Sequence, residues 1–585
     1  LKRIAEGNPD ETKIGAFGVG FYSVFADCEE PFVSSGKEAM AFYWKANSLF
    51  TKRLLLPPEE SNPNTSFVLD YRNTTTPMPN LLSICQFLAT SLTFVALQKI
   101  ELQVDDWKII SLEKKSAPSI EVPIARDVET KTKDGLMKVQ SMDRESVQMD
   151  ATFMNVVGWK PAIPTSISKP SYESSYGTSS SDVPSLRSFF SRLTASTSHA
   201  QLKTKAMKEE KALQEVVLED LTAVTVANVF LRVTTAVVKT SVTSSFASEL
   251  ERATKKPPPK TTKLAILTSS YDEAAASSKE NLVAKGVDIF SSVLPGKKPG
   301  GRIFIGFPTH QTTGAGMHLS APSVIPTVER ESIDLNARWV RTWNLEMLRV
   351  AGIMARLAFT SEMSDLSARV KRAAELNGHG SKVTKTEIIQ FMPEALHTLK
   401  TFTFGESTPS SQVSQIIEEA FWTAYKKPSI EIYSTRGILP TTKVRLATED
   451  LSGFVEGIPV VPAIIAEGSF VNKLKDFGLI TEITFSDVKQ ELEAKALSRE
   501  QLVQFIGWAG KKAITGEMDL ATVHSLMDVA VAMTGTSEGS GDVIALGTIT
   551  SYLSVSKIPA EFPIPPTTIP FMFTRTTPVN ELQAL

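Results

Sequence analysis

The chain has 585 residues, more than one hydrophobic core usually organises, which favours several domains. Hydrophobic residues make up 42% of it and charged residues 22%, as in ordinary globular proteins. The net charge of −2 disfavours a general affinity for nucleic acid or anionic membranes, and the two cysteines are too few for a disulfide framework.

The first residue is Leu1, and no basic-then-apolar leader follows it. We therefore interpret the chain as an intracellular, cytoplasmic polypeptide that is truncated at its N-terminus, without excluding the nucleus. The apolar run Leu81–Leu97 contains several polar residues, so it predicts a buried helix and not a membrane span. The six histidines have no zinc-binding spacing, and no metal ligand is predicted within the chain.

The first part of the chain alternates strand and helix patterns. A Gly-rich turn leads into the first turns of a helix at 21–25, and a second, apolar helix is expected at 80–95. A strand-like stretch is expected at 39–44, and period-two alternation, typical of half-buried strands, predicts strands at 65–71 and 99–104.

Beyond residue 112 the patterns indicate three further regions. Strands are expected within 113–162 and again within 219–340, and these two stretches are predicted to form one α/β middle domain. Between them, residues 163–218 are interpreted as a Ser-rich disordered insertion followed by a charged helix. A helical period from 336 to 376 opens a mainly helical extension, 341–585.

Three glycines, Gly15, Gly18 and Gly20, follow Ile14 and precede the first predicted helix. Glycine lets a ligand approach main-chain N–H groups closely, and a helix start adds a favourable dipole for anions. From the residues alone, a tight turn that caps a helix is the favoured explanation of the pattern.

The whole string Ile14–Ser23 closely resembles the second glycine box of the GHKL superfamily of ATPases, most closely its heat-shock-ninety branch and also its sacsin-like members. The resemblance implies that residues 1–112 are the rear part of a GHKL ATP-binding domain, with 1–13 as a lid remnant. It also implies an ATP-binding site. The loop positions assigned to nucleotide binding are Gly15, Phe17, Gly18, Val19, Gly20 and Phe21.

Two further residues match the family pattern. Thr65 begins a late strand, where the family has a threonine near the adenine, although Asn64 replaces the usual glycine. Arg330 resembles the middle-domain arginine that contacts the γ-phosphate, with the loop Gln311–Gly316 facing the nucleotide or an interface. The alternatives are a β-branched strand residue for Thr65 and a surface arginine paired with a neighbouring glutamate for Arg330.

The family's catalytic glutamate, its Mg²⁺-binding asparagine and its adenine-binding DxGxG segment have no counterpart in residues 1–13. We expect them upstream, so this chain by itself is predicted to be an inactive fragment of an ATPase. The predicted fold class is α+β: a partial GHKL α/β sandwich, a strand-rich α/β middle domain and a mainly helical C-terminal region.

The resemblance therefore implies a chaperone-like conformational ATPase that uses ATP and Mg²⁺, acts on protein clients and forms a homodimer. Residues 81–112 and 322–345 also resemble large fungal proteins that carry this domain before a long extension. One alternative function is that of a non-catalytic scaffold protein that keeps the nucleotide-binding fold. Another is that of a MutL-like DNA-repair clamp, which the net charge disfavours.

Overall fold

The computed structural model describes residues 20–73, 79–159, 219–281, 287–296, 300–380, 382–447, 451, 453–533, 543–553 and 563–585. The chain divides into two compact units. Unit 1 comprises Leu1–Ala355 and Phe404–Ala424, and unit 2 comprises Arg356–Thr403 and Tyr425–Leu585.

The first sheet of unit 1 has four antiparallel strands in the order β3-β2-β1-β4. The strands are β1 Phe32–Gly36, β2 Glu38–Lys45, β3 Ser48–Leu55 and β4 Asn62–Val68. Short 3₁₀ helices lie at Gly20–Ala26 and Pro58–Glu60. The predicted strands at 39–44 and 65–71 thus correspond to β2 and β4.

The second sheet of unit 1 has nine strands in the order β12-β11-β13-β10-β9-β8-β6-β5, with β7 beside β8. It is antiparallel except for the pair β11 and β13. Its strands are β5 Lys99–Val104, β6 Trp107–Ser116, β7 Ile120–Glu121, β8 Met137–Met154, β9 Val224–Thr240, β10 Thr261–Thr268, β11 Arg302–Phe304, β12 Pro308–Thr312 and β13 His318–Ser320.

The helices are α1 Leu81–Leu92, α2 Ser244–Thr254, α3 Tyr271–Asn281, α4 Arg338–Leu376, α5 Lys385–Thr401, α6 Gln412–Thr423, α7 Ala463–Ala466, α8 Ser469–Asp476, α9 Phe485–Ala494, α10 Arg499–Ile514, α11 Leu520–Val529, α12 Phe571–Thr574 and α13 Val579–Ala584. Further 3₁₀ turns lie at Asn155–Gly158, Thr441–Lys443 and Leu546–Thr548.

Alternating side chains of the long strands β8 and β9 build the core of unit 1. Met149, Ala151 and Phe153 of β8 are buried, as are the alternate β9 residues Val229 and Leu231. Burying every second side chain on one face is what period-two alternation predicts for a sheet covered by a helix. The covering helix here is α1.

Helix α1 packs into this core through Cys85, Ala89 and Leu92, which are buried. Asn80 caps its first turn, accepting a hydrogen bond from the Ser83 N–H at 2.9 Å, and Lys114 Nζ donates to the Leu92 carbonyl at 3.1 Å. The apolar run is thus a buried helix. Within the described ranges, no helix is both long and apolar enough to cross a bilayer.

The sequence predicts residues 81–112 as part of the first domain, whereas β5 and β6 hydrogen-bond into the nine-stranded sheet. Alternation shows which side chains face a core, but it does not show which sheet a strand joins. Pairing partners are set by contacts distant in sequence.

Helix α4 contributes residues to both units. In unit 1 it lies close to α6, because a side-chain carbon at Gly352 would fall 2.3 Å from the Ile417 carbonyl oxygen. Glycine at this position therefore permits the approach of the two helices.

Unit 2 is mainly helical, with short two-stranded pairs. Its strands are β14 Glu431–Ser434, β15 Gly437–Pro440, β16 Arg445–Leu446, β17 Thr481–Glu482, β18 Val531–Met533, β19 Val543–Ala545, β20 Ser551–Tyr552 and β21 Thr568–Ile569. A core of Phe454, Leu492, Phe505 and Leu526 joins α9, α10 and α11.

These two units together confirm the predicted α+β class. The predicted insertion and charged helix at 163–218 lie outside the described residues.

Candidate functional site

The candidate site lies on the four-stranded sheet, where the glycine motif ends. Residues Gly15, Phe17, Gly18 and Val19 fall outside the described residues, and the description begins at Gly20. The 3₁₀ helix Gly20–Ala26 starts at this glycine. The helix that the sequence predicts directly after the motif is therefore present, as a 3₁₀ helix and not an α-helix.

Phe21 fixes this 3₁₀ helix to one face of the sheet. Its ring centroid lies 5.1 Å from that of Phe42 on β2 and 6.1 Å from that of Phe67 on β4. Phe25, one turn later, lies 6.1 Å from Phe42 and 6.4 Å from Trp44. These aromatic contacts partly cover the apolar side of the helix and hold the end of the glycine motif against the sheet.

Thr65 lies on the same face of the sheet as Phe67, since the two are separated by two residues on β4. Successive residues of a strand advance about 3.3 Å, so Thr65 lies about 7 Å along the strand from the residue that contacts Phe21. The structure therefore brings Phe21 and Thr65 to one sheet face. Thr65 is exposed there, and its Oγ1 lies 2.8 Å from Ser35 Oγ.

Gly20 is also exposed, and among the described residues no atom lies within 4 Å of a side-chain carbon added at this position. The part of the chain that the structure describes therefore leaves room for a ligand at the start of the 3₁₀ helix. On the sheet face beside it, Glu38 lies opposite Ser35 and forms an ion pair with Arg53. The charges of this ion pair partly neutralise each other.

Arg72 holds the other end of the 3₁₀ helix. Its Nη2 donates to the Phe25 carbonyl at 2.8 Å, its main-chain N–H donates to the Asp27 carbonyl at 2.6 Å, and its Nε lies 3.2 Å from Glu29 Oε1. A cation at a helix C-terminus complements the helix dipole. Sequence reasoning missed Arg72, because no local pattern connects it with a helix 46 positions earlier, and only the fold brings them together.

Arg330 lies in another part of unit 1, at the tip of a hairpin closed by the bridge between Pro326 and Ile333. Its φ is 63°, and its N–H donates to the Thr327 carbonyl at 3.0 Å. The hairpin is fastened to β12, since the His310 N–H donates to the Glu331 carbonyl at 2.8 Å. The role of Arg330 at the γ-phosphate stays a prediction.

The expectation for the loop Gln311–Gly316 is wrong. Gln311 and Thr313 are fully buried, and Gln311 Nε2 donates to the Ser410 carbonyl at 3.0 Å. Gly314 accepts a hydrogen bond from the Gly405 N–H at 2.7 Å and has no space for a side chain. The loop faces the interior, because the chain at 404–410 covers it, and it is not open to a nucleotide or a partner.

A protein metal site usually requires several His, Cys, Asp or Glu side chains close together. Across the described ranges, no group of three or more His, Cys, Asp or Glu side chains is arranged to hold a metal ion.

The fold and the site define an α+β protein with an exposed glycine-led helix start on a small antiparallel sheet. A family model described as "Protein of unknown function (DUF3684)" matches residues 92–585, so the chain belongs to the DUF3684 family. The match covers the nine-stranded sheet from β5 onward and unit 2, and it does not reach the glycine motif or Thr65. No curated protein and no solved structure matches the chain.

Proposed function

We propose that this protein binds ATP at the glycine motif and uses it in a chaperone-like conformational cycle. Main-chain N–H groups from Gly15 to Phe21 would receive the phosphates, and Thr65 would line the pocket of the base. The observation that carries the proposal is that Phe21, through its contact with Phe67, and Thr65, two separate motif matches, lie on one face of the four-stranded sheet.

Three features of the site support this assignment. Gly20 has open space above it, as a loop that admits a ligand requires. The first N–H groups of any helix lack intrahelical partners and attract anions, so the start of the 3₁₀ helix suits a phosphate. Thr65 presents its hydroxyl from the neighbouring strand.

Within this proposal, Arg330 contacts the γ-phosphate when the domains close, as a guanidinium does by bidentate hydrogen bonds. Mg²⁺ accompanies the nucleotide, held by residues outside those that we assign here. ATP, protein clients and a second copy of the chain are the proposed partners, and the proposed location is the cytoplasm.

The decisive experiment compares two glycine variants of the protein as its gene encodes it. Gly20→Glu places a negative charge where the phosphates would lie, and no neighbouring atom obstructs the new side chain. Gly296→Glu is the matched control, since Gly296 is likewise exposed, has no atom within 4 Å of an added carbon and lies outside the proposed site.

Binding of Mg²⁺-ATP is measured by isothermal titration calorimetry. We expect the wild type and Gly296→Glu to bind with equal affinity and Gly20→Glu to bind at least about a hundredfold more weakly, because a desolvated like-charge contact costs several kcal/mol. Absence of ATP binding by the wild type refutes the proposal. If the protein binds ATP but releases no phosphate in a phosphate-release assay, the proposed ATPase cycle is refuted and the function as a non-catalytic scaffold is supported.

A further inference from the structure

An open cavity of about 380 Å³ lies between α2 and the start of α4 in unit 1, away from the proposed nucleotide site. One wall consists of Glu249, Arg252 and Ala253, which lie on one face of α2 at helical spacing. The other wall is the segment Ala337–Val340. Its volume is within the range of sites that hold a small ligand or a peptide side chain.

Trp339 forms the apolar floor of this cavity. Phe246 packs edge-to-face against its ring, with centroids 5.4 Å apart and planes at 90°. The Arg338 guanidinium lies over the ring, 4.9 Å from the centroid. The indole is therefore held in place on one side by an aromatic ring, and a cation is positioned beside it at the cavity.

The cavity lining carries two arginines, Arg252 and Arg338, and one carboxylate, Glu249. Arg252 is 77% exposed and shares the cavity with Glu249, to which it is paired at 2.6 Å. Arg341 follows Arg338 by one helical turn, and both are exposed. Among the ion pairs of the described residues, none involves Arg338 or Arg341, and Arg338 lies instead over the Trp339 ring, so neither charge is neutralised by a carboxylate there.

We propose that this cavity binds an acidic peptide segment of a partner protein, with an aromatic side chain of that segment against Trp339. Arginine clusters recognise acidic motifs through bidentate hydrogen bonds to carboxylates. The apolar floor accepts the aromatic side chain. Nucleic acid fits less well, because the Glu249 carboxylate stands in the wall and no long basic stripe continues from the cavity.

The test uses the full chain and a fluorescein-labelled peptide of alternating aspartate and phenylalanine, with binding read by fluorescence polarisation. Arg338→Glu is the test variant. Arg372→Glu, an exposed arginine near the other end of α4, carries the same charge change outside the cavity and is the control. Equal thermal unfolding temperatures establish that both variants fold.

We expect Arg338→Glu to weaken peptide binding at least about tenfold, while Arg372→Glu leaves it unchanged. Binding should also weaken as salt screens the exposed charges. A peptide with lysine in place of aspartate should not bind. The proposal is overturned if the two variants bind alike, if the lysine peptide binds as well as the acidic one, or if a single-stranded RNA oligonucleotide binds in place of the peptide.

Discussion

His318 lies on β13 and is completely enclosed by unit 1. Its Nδ1 accepts a hydrogen bond from the Arg302 N–H at 2.8 Å, which leaves Nε2 as the donor to the Val293 carbonyl at 3.1 Å. Both ring nitrogens are therefore satisfied in the neutral form. Burial lowers the pKa of His318 from 6.5 to about 4, with a smaller contribution from the Arg302 charge, against the opposing effect of the Val293 hydrogen bond.

The pKa of His318 predicts a specific loss of stability in acid. Because the folded pKa is below the unfolded value, the unfolded chain binds the proton first, and stability falls as pH drops from about 6.5 to 4. The contribution is about 3 kcal/mol across this window. We expect His318→Gln to show a flatter pH dependence than the wild type in urea unfolding. His524→Gln, an exposed histidine, is the control, and parallel curves for the wild type and His318→Gln would contradict the prediction.

The candidate site shows what residue patterns can and cannot predict. The glycine spacing predicted a helix start at Gly20, and the strand around Thr65 was predicted by its alternation. That Phe21 and Thr65 share a face depends on the register between β1 and β4, which pairs Ser35 with Thr65. The role of Arg72 was not predicted, because its hydrogen bond to the carbonyl of a helix distant in sequence produces no pattern in the residues around it.

At the scale of elements, Glu346 attaches α4 to the turn that precedes β8. This carboxylate is fully buried and accepts hydrogen bonds from the Leu136 N–H at 3.1 Å and from the Thr132 hydroxyl. Arg349, one turn later, donates to it at 2.7 Å and to Asp134 at 2.9 Å. A buried charge is tolerated when hydrogen bonds and a counter-ion replace the lost water.

Removal of the Glu346 carboxylate should destabilise the folded protein. In Glu346→Ala, the half-buried Leu136 N–H, the buried Thr132 hydroxyl and part of the Arg349 charge lose their acceptor, and we expect a loss of about 3 kcal/mol in the free energy of unfolding. Glu375→Ala removes an exposed carboxylate from the same helix and should change stability by less than about 0.5 kcal/mol. Chemical denaturation measures both, and equal losses would show that the buried network contributes nothing specific.

At the scale of the whole molecule, each unit has a hydrophobic core of its own. The core of unit 1 is built on β8, β9 and α1, and that of unit 2 on α9, α10 and α11. In the second core, Phe505 is fully buried with its ring centroid 5.4 Å from that of Phe454. A chain with two cores is not expected to unfold in one two-state transition.

Calorimetry of Phe505→Ala tests this expectation. The cavity left by the ring should cost about 3 to 5 kcal/mol and lower the unfolding temperature of the transition that belongs to unit 2. Ile389→Ala, which removes a largely exposed side chain in the same unit, should leave the thermogram nearly unchanged. A single transition that shifts as a whole in Phe505→Ala would argue against separate cores.

By itself, the sequence determined the type and approximate position of most elements. Alternation predicted β4 and β5, strand-like composition predicted β2 and β9, the helical period predicted α4, and polar residues within the apolar run predicted that α1 is buried. These properties are local, because side-chain periodicity records which face of an element is covered. They are sufficient for the α+β class.

Only the tertiary structure decided how the elements combine. It assigned β5 and β6 to the nine-stranded sheet, buried the loop Gln311–Gly316, and placed Phe21 beside the strand of Thr65. Each of these outcomes depends on hydrogen bonds or packing between residues far apart in sequence. Such contacts are selected by the free energy of the whole fold, and no local pattern encodes them.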